Sequence, residues 1–108
     1  MLKPLPVWKV YVPSTDGYRN EWDIEKHKEW DKEVCRITGG LTLLKVEEGR
    51  WVDPNGKMLP EPMLPVMIAC TRKQLFEILK FTKKHYNQKA VIAMKISDEA
   101  WILSGDEL

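Results

Sequence analysis

Little in this chain names a chemistry. Its longest apolar run, Met63 to Cys70, is strand-sized, far short of the roughly 20 residues a membrane helix requires. Cysteine is scarce. Cys35 and Cys70 stand alone, without the spacing of a metal site or a redox pair, so each reads as a small apolar filler. There is no glycine-rich phosphate loop, no His-x-x-x-His, no nucleophile elbow and no Cys-x-x-Cys. No cofactor or metal is therefore expected. A net charge of +1 excludes nucleic-acid binding driven by overall charge. The opening Met-Leu-Lys-Pro-Leu-Pro has no apolar core of a secretory signal. With two isolated cysteines, that sets the expectation of a cytoplasmic protein. Repeats and low-complexity segments are also absent.

What is present describes one domain spanning residues 1–108. Its 44% apolar and 31% charged residues are ordinary for a globular chain, and the length suits a single core. The charge is unevenly placed. Residues 16–33 hold seven acids against four bases, and residues 72–89 hold six bases against one acid.

The hydrophobic periodicities run strand, helix, strand, strand, helix, strand. Val7 to Val12 alternates, with Trp8, Val10 and Val12 on one face and Val7, Lys9 and Tyr11 on the other. Pro13-Ser14-Thr15-Asp16-Gly17 is turn chemistry. A helix then starts from an Asn20 cap, with Ile24, His27, Trp30, Val34 and Ile37 on its buried arc. Beside them Glu25–Lys28, Glu29–Lys32 and Glu33–Arg36 form i,i+3 pairs on a solvated face. Gly39-Gly40 stops the helix. Leu41 to Val46 is the second strand, and Glu47 to Pro62 an elaborated connection. Within it Arg50-Trp51-Val52 and Lys57-Met58-Leu59 flank Asp53-Pro54-Asn55-Gly56, a hairpin turn. Pro65 to Cys70 is a central strand. Thr71-Arg72-Lys73-Gln74 is a capping box, opening a helix whose buried arc is Leu75, Ile78, Leu79, Thr82 and Tyr86. Ala90 to Ile96 is the last long strand, and Glu99 to Leu103 a short edge addition.

That order predicts an α+β, ferredoxin-like split βαβ fold: a four-stranded antiparallel sheet, two helices on one face and a small β-hairpin extension. At Gly40-Leu41-Thr42, Gly49-Arg50-Trp51, Gly56, Glu61-Pro62 and Tyr86-Asn87-Gln88-Lys89-Ala90-Val91 the sequence resembles a bacterial family of small proteins of unknown function. The resemblance spans Gly40 to Val91. It implies the same fold and carries no catalytic residue.

Function must come from a site. The sheet face without helices would expose Val7, Tyr11, Val91 and Ala93 beside Lys9 and Lys95. It is too apolar to prefer water, and a second copy covers such a patch using one surface twice. The leading expectation is a non-enzymatic binding or regulatory protein acting as a homodimer, with Tyr11, Trp51 and Lys9 as contact residues and a small molecule or protein as ligand. The alternative is a small enzyme with a cleft near the extension hairpin. There Glu61 (set between two prolines) or His85 (among lysines that would keep it neutral) would serve as general acid or base. His27, on the apolar arc, reads as a hydrogen-bonded interior group. Asp16 and Asp53 are accounted for by turns. A third reading, single-stranded nucleic acid stacked on Tyr11 with Lys9, Lys83, Lys84 and Lys89 on phosphates, is disfavoured: the basic residues lie mostly on a helix behind the sheet.

Overall fold

The computed structural model describes residues 3–16, 20–52 and 54–103, and for Trp51 and Leu59 the backbone alone. The expected turn residues Gly17 and Asp53 lie outside the described residues. Seven elements follow in order: β1 (Leu5–Pro13), α1 (Ile24–Thr38), β2 (Thr42–Leu43), β3 (Glu47–Val52), β4 (Met58–Ala69), α2 (Arg72–His85) and β5 (Ala93–Ala100). The sheet is antiparallel in the order β2-β4-β1-β5, with β3 also pairing β4. Because β2 and β3 meet successive stretches of β4, they act as one interrupted strand. The four-strand ferredoxin-like order results.

β1 is central because its alternation fits two environments at once. Trp8, Val10 and Val12 are buried beneath the helices, paired with Ile68, Val66 and Leu64 of β4. Val7, Lys9, Tyr11 and Pro13 pair with Ala69, Met67, Pro65 and Met63 on the opposite, open face. The Trp8 indole donates to the Cys70 carbonyl at 3.0 Å, so its polar edge is satisfied at the end of β4. The hairpin β3–β4 is formed as expected, with register from Glu47↔Met63 to Val52↔Met58. Gly56 takes φ +82° at its tip, a backbone that glycine adopts freely.

The helices lock together through matched polar groups. Trp30 Nε1 donates to Thr82 Oγ1 at 2.8 Å, and Thr82 Oγ1 donates onward to the Ile78 carbonyl. Gln74 Nε2 reaches the Ile37 carbonyl at 3.0 Å. The capping box at Thr71 has both of its reciprocal bonds, and α1 ends on Gly39 in the left-handed conformation.

Several expectations are corrected. α1 begins at Ile24 after Asp23, not from an Asn20 cap. Asn20 is held in a preceding loop, where its N–H meets Asp16 Oδ1 at 3.0 Å and its carbonyl accepts from the Asp16 N–H. Ile24 is exposed as a result. Cys35 is exposed while Cys70 is buried, and burial pushes the Cys70 thiol up to about 11. Trp22 packs against the core. Glu61 lies within β4, not in a loop. β5 continues to Ala100, and residues 101–103 are not strand. Most consequentially, the faces of β5 are the reverse of those expected. Met94 pairs with Lys9 on the open face, whereas Ala93 and Lys95 pair with Val10 and Trp8 on the helix side. Ala93 joins the core and the Lys95 ammonium lies 5.8 Å from the Trp8 ring centre. Beyond Lys95, Ile96 is the extra residue of a bulge between the Trp8–Lys95 and Val7–Ser97 pairs, which breaks the two-residue period and sets Ser97 opposite Val7.

Candidate functional site

The site begins with the prolines of β4. Pro60 and Pro62 lie beyond Met63, where β1 has ended, so their missing N–H groups cost no ladder bond with that strand. The Pro62 carbonyl is held by Ser14, whose Oγ donates at 2.8 Å. Glu61 is thus carried on an anchored arm. Its cross-strand neighbour is Gly49, which places no side chain opposite the carboxylate.

Three segments converge around it: the end of β1, the hairpin arms, and the connection from α2 to β5. They enclose a groove of about 610 Å³ lined by Tyr11, Pro13, Val52, Glu61, Met63 and the run Asn87–Ile92. This size lies in the range of small-ligand sites. The walls are mostly apolar, with Glu61 as their acid and Lys89 their base. A shallower hollow of about 230 Å³ shares Tyr11, Met63 and Ile92 and continues to Glu47, Glu48 and Arg50. Tyr11 therefore stands between two compartments of one trough.

Lys9 borders the trough. Its Nζ lies 2.6 Å from Glu47 Oε1 and 5.2 Å from the Tyr11 ring centre. The Glu47 carboxylate, and after it Tyr11, hold the ammonium above its ordinary pKa. This pair ties β3 to β1 across the open face.

The wall from Asn87 to Ile92 is tightly tethered. Asn87 has φ +50°, the left-handed region that asparagine tolerates better than most residues. The Gln88 N–H bonds the Lys83 carbonyl at 2.9 Å, and Gln88 Nε2 bonds the Tyr86 carbonyl at 3.0 Å. The Tyr11 N–H reaches the Ile92 carbonyl at 3.2 Å.

Of the residues singled out from the sequence, Tyr11 and Glu61 line the same groove, with Lys9 beside Tyr11. Trp51 has its backbone on β3 opposite Leu59, and its side chain lies outside the described residues. His85 is elsewhere: its Nε2 donates to the Lys26 carbonyl at 2.8 Å and its ring stacks on Phe81, between the helices. His27 is likewise engaged, with Nδ1 2.7 Å from the Tyr86 hydroxyl. Sequence reasoning named Val91 of the Asn87–Ile92 wall and missed the rest of it and the floor at Met63. The Tyr-Asn-Gln segment after a helix full of lysines was a visible turn signal, but nothing local showed that it returns beside Glu61. Among the described residues, no three His, Cys, Asp or Glu side chains are grouped to hold a metal ion. No helix there is long and apolar enough to cross a membrane.

No family model matches the chain, and no curated protein matches it in sequence. Solved structures do match in shape. A phage SAM lyase in complex with S-methyl-5'-thioadenosine superposes with a TM-score of 0.70 at 12% identity, covering 94% of this chain and 88% of that one. CutA1 from Oryza sativa gives 0.64 at 14% identity, covering 97% and 85%. The divalent cation tolerance protein CutA1 from Thermus thermophilus gives 0.60 at 12% identity, covering 88% and 86%. At such identities these likenesses speak for the α+β, ferredoxin-like fold and for nothing finer.

Proposed function

We propose that the chain is a small binding protein whose ligand, a nucleoside-sized molecule, occupies the groove between Tyr11, Glu61 and the Asn87–Ile92 wall. The observation that carries this reading is one carboxylate set among apolar walls in a groove of about 610 Å³, on the sheet face the helices leave bare. Apolar walls with a few polar groups to fix orientation are what a small-molecule site requires. Glu61 can accept hydrogen bonds from a ribose diol, Tyr11 offers a ring for stacking, and Met63 and Ile92 suit a thioether. The fold neighbour with S-methyl-5'-thioadenosine makes that compound the natural first probe. Calorimetry with it is expected to give saturable binding that Glu61→Gln weakens about tenfold or more, a charged hydrogen-bond acceptor being lost. No heat of binding at millimolar probe would overturn the nucleoside reading.

The open face supports a second element of the same proposal, self-association as a homodimer. Ile92 and Met94 remain substantially exposed there, and one patch used twice covers both copies. Two free cysteines favour a reducing cytoplasm as the setting.

An enzymatic reading is favoured by one observation, the place of Glu61 in the groove wall. A general acid or base there would be Glu61 alone, since His85 is committed to the Lys26 carbonyl between the helices. Chromatography for S-methyl-5'-thioadenosine released from SAM separates the two. Release abolished by Glu61→Gln supports catalysis, and its absence leaves binding alone.

A further inference from the structure

The wall of the groove begins where the two helices are pinned. Tyr86, the residue after α2, has no exposed surface, and its ring is held on three sides: by Trp22 edge-on at 5.7 Å, by His27 at 5.5 Å and by His85 edge-on at 4.9 Å. Its hydroxyl lies 2.7 Å from His27 Nδ1. The next residue is Asn87 at φ +50°, and from there to Ile92 the chain lines the groove. The interhelical pin and the ligand wall are therefore consecutive residues of one backbone.

We propose that the His27–Tyr86 hydrogen bond is a proton-operated latch on this wall, closed when His27 is neutral and loosened when protonation reverses the bond and leaves the buried hydroxyl proton without an acceptor. The proposal's meaning for binding rests on the groove being the ligand site, but the coupling itself does not. With His27 neutral and its proton on Nε2, Nδ1 accepts the Tyr86 proton. A protonated imidazole has donors on both nitrogens, so Nδ1–H then donates to the Tyr86 oxygen, the bond reverses, and the hydroxyl's own proton loses its acceptor. That leaves a buried donor unsatisfied, in a cluster where Trp22 Nε1 already has no partner among the described residues.

The surrounding charges do not rescue the cation. Partial burial of the ring holds His27 below its ordinary pKa, with Asp31 of α1 opposing that shift and His85 of α2 adding to it. Lys26 lies over the Trp22 ring, adding a further positive group beside the cluster. The sign follows. A base whose folded pKa is depressed makes the closed state lose ground as pH falls through and below the ordinary histidine value near 6.5.

The test is amide and imidazole NMR on the full chain without ligand, titrated from pH 7.5 to 5. The amides of Gln88, Lys89, Val91 and Ile92 are expected to shift with one midpoint below 6.5, shared with the His27 ring. That response should vanish in His27→Gln and persist in His85→Gln. Tyr86→Phe, which keeps the ring and removes only the hydroxyl, should let His27 titrate while the wall stays still. Wall shifts that persist in His27→Gln, or a His27 titration that leaves the wild-type wall unmoved, would overturn the latch. A separate arm measures S-methyl-5'-thioadenosine affinity, expected to be about tenfold weaker one pH unit below the midpoint, as the competent fraction falls. No binding at pH 7.5 removes the nucleoside reading and leaves the latch to be judged by the amides. Binding that does not weaken with pH, despite moving amides, would contradict the latch's control of the site.

Discussion

The two faces of one sheet have been solved in opposite ways. On the helix side Val10, Val34 and Val66 are at most 1% exposed, and the Trp8 and Trp30 indoles each have a hydrogen-bond partner. On the open side Ile92 and Met94 remain 39% and 48% exposed, and polar contacts are few and specific, with Lys9–Glu47 the chief one. The first face is a finished interior in which every substitution is felt. The second is a surface with a trough in it, where Met63 and Pro65 are buried but Ile92 and Met94 are open to contact. The lesson is that folding energy and candidate function lie on opposite sides of the same strands, alternating residue by residue along β1.

That contrast can be broken most severely from the helix side. Trp30→Ala should cost about 3–5 kcal/mol, since it leaves a large cavity and strips Thr82 Oγ1 of its donor; urea denaturation measures it. Ile78→Ala, at a position with no exposed surface, should cost about 2–5 kcal/mol by the same measurement. A loss below about 1 kcal/mol at either site would mean the helices do not close this core. The open side should respond differently. Tyr11→Glu should leave the fold standing and, if the face is shared between two copies, give a monomer, because symmetry duplicates the introduced charge at the contact. Sedimentation at micromolar concentration reads the outcome, and a wild type that is already monomeric there removes the dimer. The smallest effect belongs to the outer rows. Glu25→Ala breaks a pair in which Lys28 Nζ is 3.4 Å away and both side chains are mostly exposed. It should change stability by no more than about 0.5 kcal/mol.

Much of the covered face was readable because its signals are local and redundant. The Thr71 capping box, the Gly39 stop, the β1 alternation and the apolar run of β4 each point to their element from a few residues. The open face was harder. The sequence assigned Ala93 and Lys95 to it, leaving the more apolar Ile92, Met94 and Ile96 for the core, but the register sets Ala93 opposite Val10 and Lys95 opposite Trp8 on the helix side. Asn20 looked like a helix cap because asparagine favours caps. Here its backbone is instead held in a loop, its N–H donating to the Asp16 carboxylate. Leu79, placed at the centre of the α2 arc, is only partly buried, and Ile78 takes the deepest position. Tyr11 and Glu61 were both singled out, but their sharing one groove depends on the turn after Tyr86, a tertiary return that no local pattern encodes. The partner of His85 was hidden for the same reason: it is a backbone carbonyl of α1, 59 positions away in the chain.

The central claim, that the helix-free face carries the ligand site, is tested most directly by mapping S-methyl-5'-thioadenosine onto the protein through backbone amide shifts at pH 7.5. The account predicts saturable shifts confined to Tyr11, Glu61, Met63 and Gln88–Ile92, with Trp30, Val34 and Ile78 unmoved. Shifts centred on α1 and α2, or none at any probe concentration up to a few millimolar, would contradict it.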